Sequence, residues 1–158
     1  MKTATGELWQ TSDARGDLSF WIHSSDPAHQ QLVPSSIISA VNTLDELRLE
    51  LNKAVEFKSK RHQVQVACYP GQGARYVRHL DALPPGPDKP RGRRLTALYY
   101  MNPEWTPKDG GALRMHLEGD EIDIEPLGDR LVVFASEYVE HEVLPAYAAR
   151  FTLTMWYY

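Results

Sequence analysis

The sequence predicts a mainly β protein, a sandwich or barrel with one or two helices near its N-terminus packed on the outside. Three observations carry that expectation. After Lys60 the chain runs in short β-branched and aromatic stretches, Gly or Pro punctuates most of the gaps between them, and only the segment before Lys60 repeats with the period of a helix.

Taken in order, "GDLSFWIH" from Gly16 alternates polar and apolar residues and reads as a strand ending at Ser24, Ser25, Asp26 and Pro27. The period then changes. Thr43 followed by Glu46 has the pattern of a capping box, and Leu44, Leu47, Leu51 and Val55 fall on one helical face, which predicts a helix over 43–56 with an earlier helical turn at 34–41. The stretches "QVQVACY", "RYVRHLD", "RLTALYYM", "GALRMHL", "EIDIEP", "DRLVVFAS", "HEVLP" and "RFTLTMWYY" follow as strands. Turn residues separate them at Pro70-Gly71, Gly110-Gly111 and Leu127-Gly128. The Pro- and Gly-rich interruption "ALPPGPDKPRGRR" has to leave the sheet as a loop, because proline cannot donate to a ladder.

A chain of 158 residues suffices for one domain with a genuine core, and 42% hydrophobic with 24% charged residues is the composition of a globular protein. The N-terminal "MKTATGELWQ" lacks the apolar centre of a signal peptide, and the lone Cys68 has no internal partner, so cytoplasm or nucleus is expected. A net charge of −4 argues against a general nucleic-acid binder. The charge is uneven, however. Arg75, Arg78, Lys89, Arg91, Arg93 and Arg94 outnumber Asp81 and Asp88, while Glu118, Asp120, Glu121, Asp123 and Glu125 stand together without a base. The simplest reading of both runs is solvated loops, although "EIDIEP" inside the second also alternates like a strand.

Residues two apart on a strand point the same way, so His79 and Asp81 present an imidazole and a carboxylate side by side. A metal site needs another imidazole. Of the remaining histidines, His141 opens a β-rich stretch followed by Arg150, whereas His23, His29, His62 and His116 lack such a companion. Two imidazoles and one carboxylate suit non-haem Fe(II), and they also suit hydrolytic zinc. Arg150 favours the first: a guanidinium deep in a barrel needs an anion, and its fork matches a carboxylate. Alternation along "ARFTLTMWYY" places Arg150, Thr152, Thr154 and Trp156 on one face, taken as the cavity side.

The stretches "RGDLSFWI", "QVACYPGQGARYVRHLD", "LYYMNPEW", "DGGALRMH", "DIEPLGDRLVVF" and "HEVLPAYAARFTLTMWYY" resemble the Fe(II)- and 2-oxoglutarate-dependent prolyl 4-hydroxylases, most closely the hypoxia-inducible-factor prolyl hydroxylase group and its bacterial and protist relatives. The resemblance implies a double-stranded β-helix, or jelly roll, with residues 1–158 forming a single catalytic domain, either compact or a fragment of a longer chain. It implies His79, Asp81 and His141 as iron ligands, and Arg150 with the Tyr100 hydroxyl as the site for the distal carboxylate of 2-oxoglutarate. Tyr69, Thr154 and Leu113 would line the cosubstrate pocket, and Tyr76, Arg93 and Trp156 would meet the substrate. Fe(II), 2-oxoglutarate and O2 are the implied cofactor and cosubstrates, with ascorbate as an auxiliary. The implied partner is a proline-containing segment of an intracellular protein, acidic around its target if the loop arginines attract it, and met by a monomer without nucleic acid or membrane. A barrel that only binds a small acid or peptide, an oxygenase of another substrate and a zinc hydrolase remain as alternatives.

Overall fold

The alternating stretches fold into strands of one curled antiparallel sheet. The computed structural model describes residues 14–23, 31–55, 57–83 and 92–158, and before them the backbone of residues 2–3, 6–7 and 9–11. Three short strands, β1 (Lys2–Thr3), β2 (Gly6–Glu7) and β3 (Trp9–Thr11), precede β4 (Arg15–Ile22), the strand expected from "GDLSFWIH". A helix α1 (Ser35–Ala54) follows, then β5 (His62–Tyr69), β6 (Ala74–His79), β7 (Leu95–Tyr100), β8 (Leu113–Leu117), β9 (Asp120–Ile124), β10 (Leu131–Ala135), β11 (Glu140–Ala146) and β12 (Arg150–Tyr157). Neighbours in the sheet run β10-β7-β12-β5-β4-β6-β11-β8-β9, with β3 beside β4.

The sheet folds over on itself. Inward residues of β7, Leu98 and Tyr100, pack against Leu113 and Met115 of β8, and Ala67 and Tyr69 of β5 pack against Val143 and Ala146 of β11. The strands β7, β12 and β5 therefore face β8 and β11 across an interior. The other face of the first group is covered by α1. Val41 and Leu44 of the helix join Ile22, Val64, Ala97, Leu153 and Met155 in a second core, with Tyr157 donating to the Leu44 carbonyl at 2.7 Å. Burying each of the larger aliphatic side chains among these stabilises the fold by roughly 1.5–3 kcal/mol. Period two in β12 serves both cores: Leu153, Met155 and Tyr157 meet the helix, and Arg150, Thr152, Thr154 and Trp156 line the interior, as the alternation predicts.

Two expectations need correction. The helix starts at Ser35, directly after Pro34, and Thr43 lies inside it with no capping role. Pro34 supplies a fixed φ at the entry, and the apolar period continues back through Val41 and Ile37, so the stretches read as a turn and a helix are one element. The acidic run is also ordered: Asp120–Ile124 is the edge strand β9, where Arg114 grips Asp123 with two hydrogen bonds of 2.7 and 2.8 Å. Strand pairing puts Asp123 opposite Arg114 and Glu121 opposite His116 on β8, which local composition does not reveal.

Candidate metal centre and its cavity

The site is built around an irregularity in β6. Across the pair with β11, His141 opposes His79 and Val143 opposes Tyr76, so β6 carries one extra residue in that interval. Such a bulge turns two residues an odd number apart toward the same side, and here both Tyr76 and His79 face the interior. The imidazoles of His79 and His141 lie opposite each other, ring centres 4.3 Å apart. Asp81 is not on the strand. β6 ends at His79, and Asp81 stands on the bend that follows, so strand alternation is not what brings it round. The Thr96 hydroxyl donates to Asp81 Oδ2 at 2.6 Å, Ser136 Oγ lies 2.9 Å from Thr96 Oγ1, and the Ala82 N–H donates to the Ser136 carbonyl at 3.1 Å.

One ligand atom from each of His79, Asp81 and His141 lies within 4.8 Å of the others. The tautomers are set from behind: Nδ1–H of His79 donates to the Val77 carbonyl at 2.8 Å, and that of His141 to Val139 at 3.1 Å. Each Nε2 lone pair is left facing Asp81, at 3.6 Å for His79 and 3.8 Å for His141. Burial works to raise the Asp81 pKa, but His79, His141, Thr96 and the nearby Trp156 indole outweigh it and hold the carboxyl well below its usual 3.8. For His141 burial dominates, and His79 adds to it against the opposing pull of Asp81, so its pKa is pushed below the ordinary 6.5. A carboxylate and a neutral imidazole are the states in which these groups bind a metal.

A pH dependence follows for the metal-free protein. The unfolded chain protonates His141 near 6.5 while the folded protein resists, so stability falls as the pH drops through that value. The Asp81 contribution is present above 3.8 and is lost below it, as pH falls toward the depressed folded value. Thermal unfolding should show a lower midpoint on the acid side of 6.5, and His141→Asn should flatten that part of the curve. An identical slope in the variant would contradict the assignment.

The His79, Asp81 and His141 triad sits in the wall of a cavity of about 180 Å³. Elsewhere in that wall lies Arg150, 1% exposed, with its Nε–H donating to the Gly111 carbonyl at 2.7 Å. Gly111 has φ +65°, and a Cβ there would meet the Arg150 side chain at 2.9 Å, so glycine is what lets the guanidinium pass. Tyr69 and Tyr100 flank the guanidinium carbon, ring centres 4.9 and 5.1 Å away. Burial pushes both phenols up, so both remain neutral donors, and the fully buried Tyr100 hydroxyl has no partner. Among the described residues no carboxylate pairs with Arg150. An unpaired buried guanidinium beside an orphaned hydroxyl is a site for an anion. These residues fit 2-oxoglutarate, a molecule with a chelating end for the metal and a carboxylate for Arg150.

The other expected residues fall around this axis. Tyr69, Leu113 and Thr154 line the cavity together with Tyr76, Arg93 and Trp156, and Tyr100 packs against Arg150. Arg93 stacks on Trp156 at 3.9 Å and reaches Trp21 at 5.8 Å. Arg94 turns away onto Phe57, 4.4 Å from its ring. The interruption predicted to leave the sheet as a loop falls mainly on 84–91, with Lys89 and Arg91, and lies outside the described residues, as does His29. His62 contacts Asp45 and His116 lies between Glu121 and Glu142, in keeping with roles outside the site.

Sequence reasoning missed Thr96, Ser136, Arg15, Asp17, Trp21 and Gln65. Thr96 was within reach: stepping back by twos from Tyr100 through Leu98 puts it on the cavity face of β7. Arg15 and Gln65 depend on β4 lying between β5 and β6, a long-range order that local pattern does not carry.

Residues 64–158 match the model of the 2OG-Fe(II) oxygenase superfamily. The chain is 40% identical over 154 residues to Egl nine homolog 1 of Homo sapiens, covering 94% of this chain and 34% of that protein. It therefore spans about a third of the length of that relative. Among solved structures it is similar to a Pseudomonas putida prolyl-4-hydroxylase, with 39% identity and a TM-score of 0.77 over 95% of this chain and 76% of that one. It is also similar to a Trichoplax adhaerens prolyl hydroxylase in complex with a hypoxia inducible factor oxygen degradation domain peptide fragment, at 33% identity and a TM-score of 0.79 over 98% of this chain and 71% of that one. The expected jelly roll is thus the fold of this chain.

Proposed function

Because the chain belongs to the 2OG-Fe(II) oxygenase superfamily, we propose that it is a protein prolyl 4-hydroxylase in which His79, Asp81 and His141 hold the iron and Arg150 anchors 2-oxoglutarate. The observation that carries this reading is one cavity with a metal-ligand triad and an uncompensated guanidinium in its wall. Bound there, Fe(II) with 2-oxoglutarate and O2 would supply oxidation of an unactivated C–H bond, with release of succinate and CO2. The chain's own work is placement. The Nδ1 bonds to Val77 and Val139 orient His79 and His141 with Nε2 toward the metal position, Asp81 stays anionic, and Arg150 with Tyr100 aligns the cosubstrate. Tyr69, Leu113 and Thr154 shape the pocket around it.

Tyr76, Trp156 and Arg93 form the side from which a peptide would approach. The aromatic faces of Tyr76 and Trp156 suit a pyrrolidine ring. The proposed substrate is a proline in a cytoplasmic or nuclear protein, with acidic residues near it that would meet the arginines of the entrance, and ascorbate is the proposed auxiliary reductant. No helix among the described residues is long and apolar enough to cross a membrane.

The test is mass spectrometry of proline-containing peptides, acidic and neutral, incubated with the protein, Fe(II), O2 and 2-oxoglutarate. Addition of one oxygen to proline, dependent on 2-oxoglutarate and preferring the acidic peptide, is expected. Conversion without O2 or 2-oxoglutarate, or oxygen placed on other residues alone, would contradict the reading.

A further inference from the structure

Resting on the iron assignment above, we infer that the tripeptide Arg15-Gly16-Asp17 is a positioning device for the metal ligand His79, acting through the ring of Tyr76. Arg15 and Tyr76 both lie in the cavity wall, yet neither supplies a ligand atom to the triad.

An imidazole on a strand is poorly fixed about its last torsion, because a terminal sp3–sp2 bond has broad wells. For His79, the bond from Nδ1–H to the Val77 carbonyl provides one restraint. The second is the Tyr76 ring, stacked on the imidazole with centres 3.8 Å apart and planes 19° from parallel. Without that stack, the ring can pivot about the Nδ1 bond and swing Nε2 away from the metal position.

The stacked tyrosine ring is itself held by a cation. The guanidinium carbon of Arg15 lies 4.8 Å from the centre of the Tyr76 ring. Its fork is fixed by two hydrogen bonds to Asp17, of 2.6 and 2.8 Å, and by a third to Gln65 Oε1 at 2.8 Å. Asp17 is 0% exposed. A buried ion pair is a poor source of net stability, since desolvation offsets most of its attraction. Its rigid bidentate geometry instead serves to hold a planar group in one orientation. Gly16 completes the unit: a Cβ there would meet the Ala74 Cα and the Arg75 nitrogen, both at 3.2 Å. The missing side chain lets β4 approach β6 where Arg15 pairs with Tyr76. Each residue of the tripeptide thus has a part: the arginine supports the tyrosine, the glycine allows the approach, and the aspartate fixes the arginine.

The experiment measures Fe(II) affinity of the whole protein without oxygen, 2-oxoglutarate or peptide, by competition with a chromogenic chelator. This readout is independent of turnover and of any contact that Tyr76 makes with substrate. Tyr76→Leu and Arg15→Ala should each weaken Fe(II) binding by about tenfold, the lower end of the range for outer-shell partners of metal ligands. Tyr76→Phe, which keeps the ring, should stay within about twofold of the native protein, and Arg15→Lys should recover only part of the loss because it lacks the fork. If Arg15→Ala fails to fold, the two Tyr76 variants decide alone. Native Fe(II) affinity in Tyr76→Leu, or equal losses in the Leu and Phe variants, would overturn the inference and leave the iron assignment standing. Native protein that binds no Fe(II) would overturn the assignment and the inference with it.

Discussion

Asp81→Ala will leave a protein that neither binds Fe(II) at micromolar concentration nor oxidises any peptide. The carboxylate is the only negative charge in the triad, and His79 and His141 present their Nε2 lone pairs to it at 3.6 and 3.8 Å. Removing one partner from a buried ion pair costs about 3–5 kcal/mol, and a divalent ion deprived of its anionic ligand should suffer at least as much. Fe(II) affinity is therefore expected to fall by roughly a thousandfold or more. The fold should persist, because the lost hydrogen bond from Thr96 leaves that hydroxyl its contact with Ser136. His79→Ala is expected to match it in activity, through loss of one of the three ligand atoms. Anaerobic metal titration with circular dichroism checks both, and full turnover in either variant would remove these residues from the ligand set.

Arg150→Lys will weaken 2-oxoglutarate without touching iron. Lysine keeps the positive charge, but its ammonium is a point donor and cannot form two parallel bonds to a carboxylate. It also gives up the bond by which Nε fixes the guanidinium to the Gly111 carbonyl. Losing one charge-assisted bond and the alignment it supplies should cost about 1.5–3 kcal/mol, or roughly tenfold to a hundredfold in affinity for the cosubstrate. Fe(II) affinity measured alone should stay native, since Arg150 is outside the triad. An unchanged apparent constant for 2-oxoglutarate would show that the anion binds elsewhere.

Much of the fold was legible because its period is local. Every stretch read as a strand after Lys60 is one, and alternation in β12 correctly sorted Arg150, Thr152, Thr154 and Trp156 from Leu153, Met155 and Tyr157. The triad was legible for a poorer reason. Spacing two between His79 and Asp81 suggested a shared strand face, whereas the structure ends the strand at His79 and brings Asp81 round through Thr96 and Ser136. What stayed hidden was long-range: the bulge that turns Tyr76 and His79 to one side, and the position of β4 that carries Arg15 under Tyr76. Neither leaves a mark on nearby composition. The capping-box pattern at Thr43 misled because a polar residue followed by Glu is equally at home on the exposed side of a helix, which is where Thr43 sits.

Anaerobic absorption spectroscopy of the protein with Fe(II), before and after 2-oxoglutarate, tests the central claim most directly. If His79, Asp81 and His141 hold iron and Arg150 steers the cosubstrate onto it, 2-oxoglutarate will raise a visible metal-to-ligand charge-transfer band that Asp81→Ala abolishes and Arg150→Lys shifts to higher 2-oxoglutarate concentration. A native protein that binds both components and shows no such band would contradict the account.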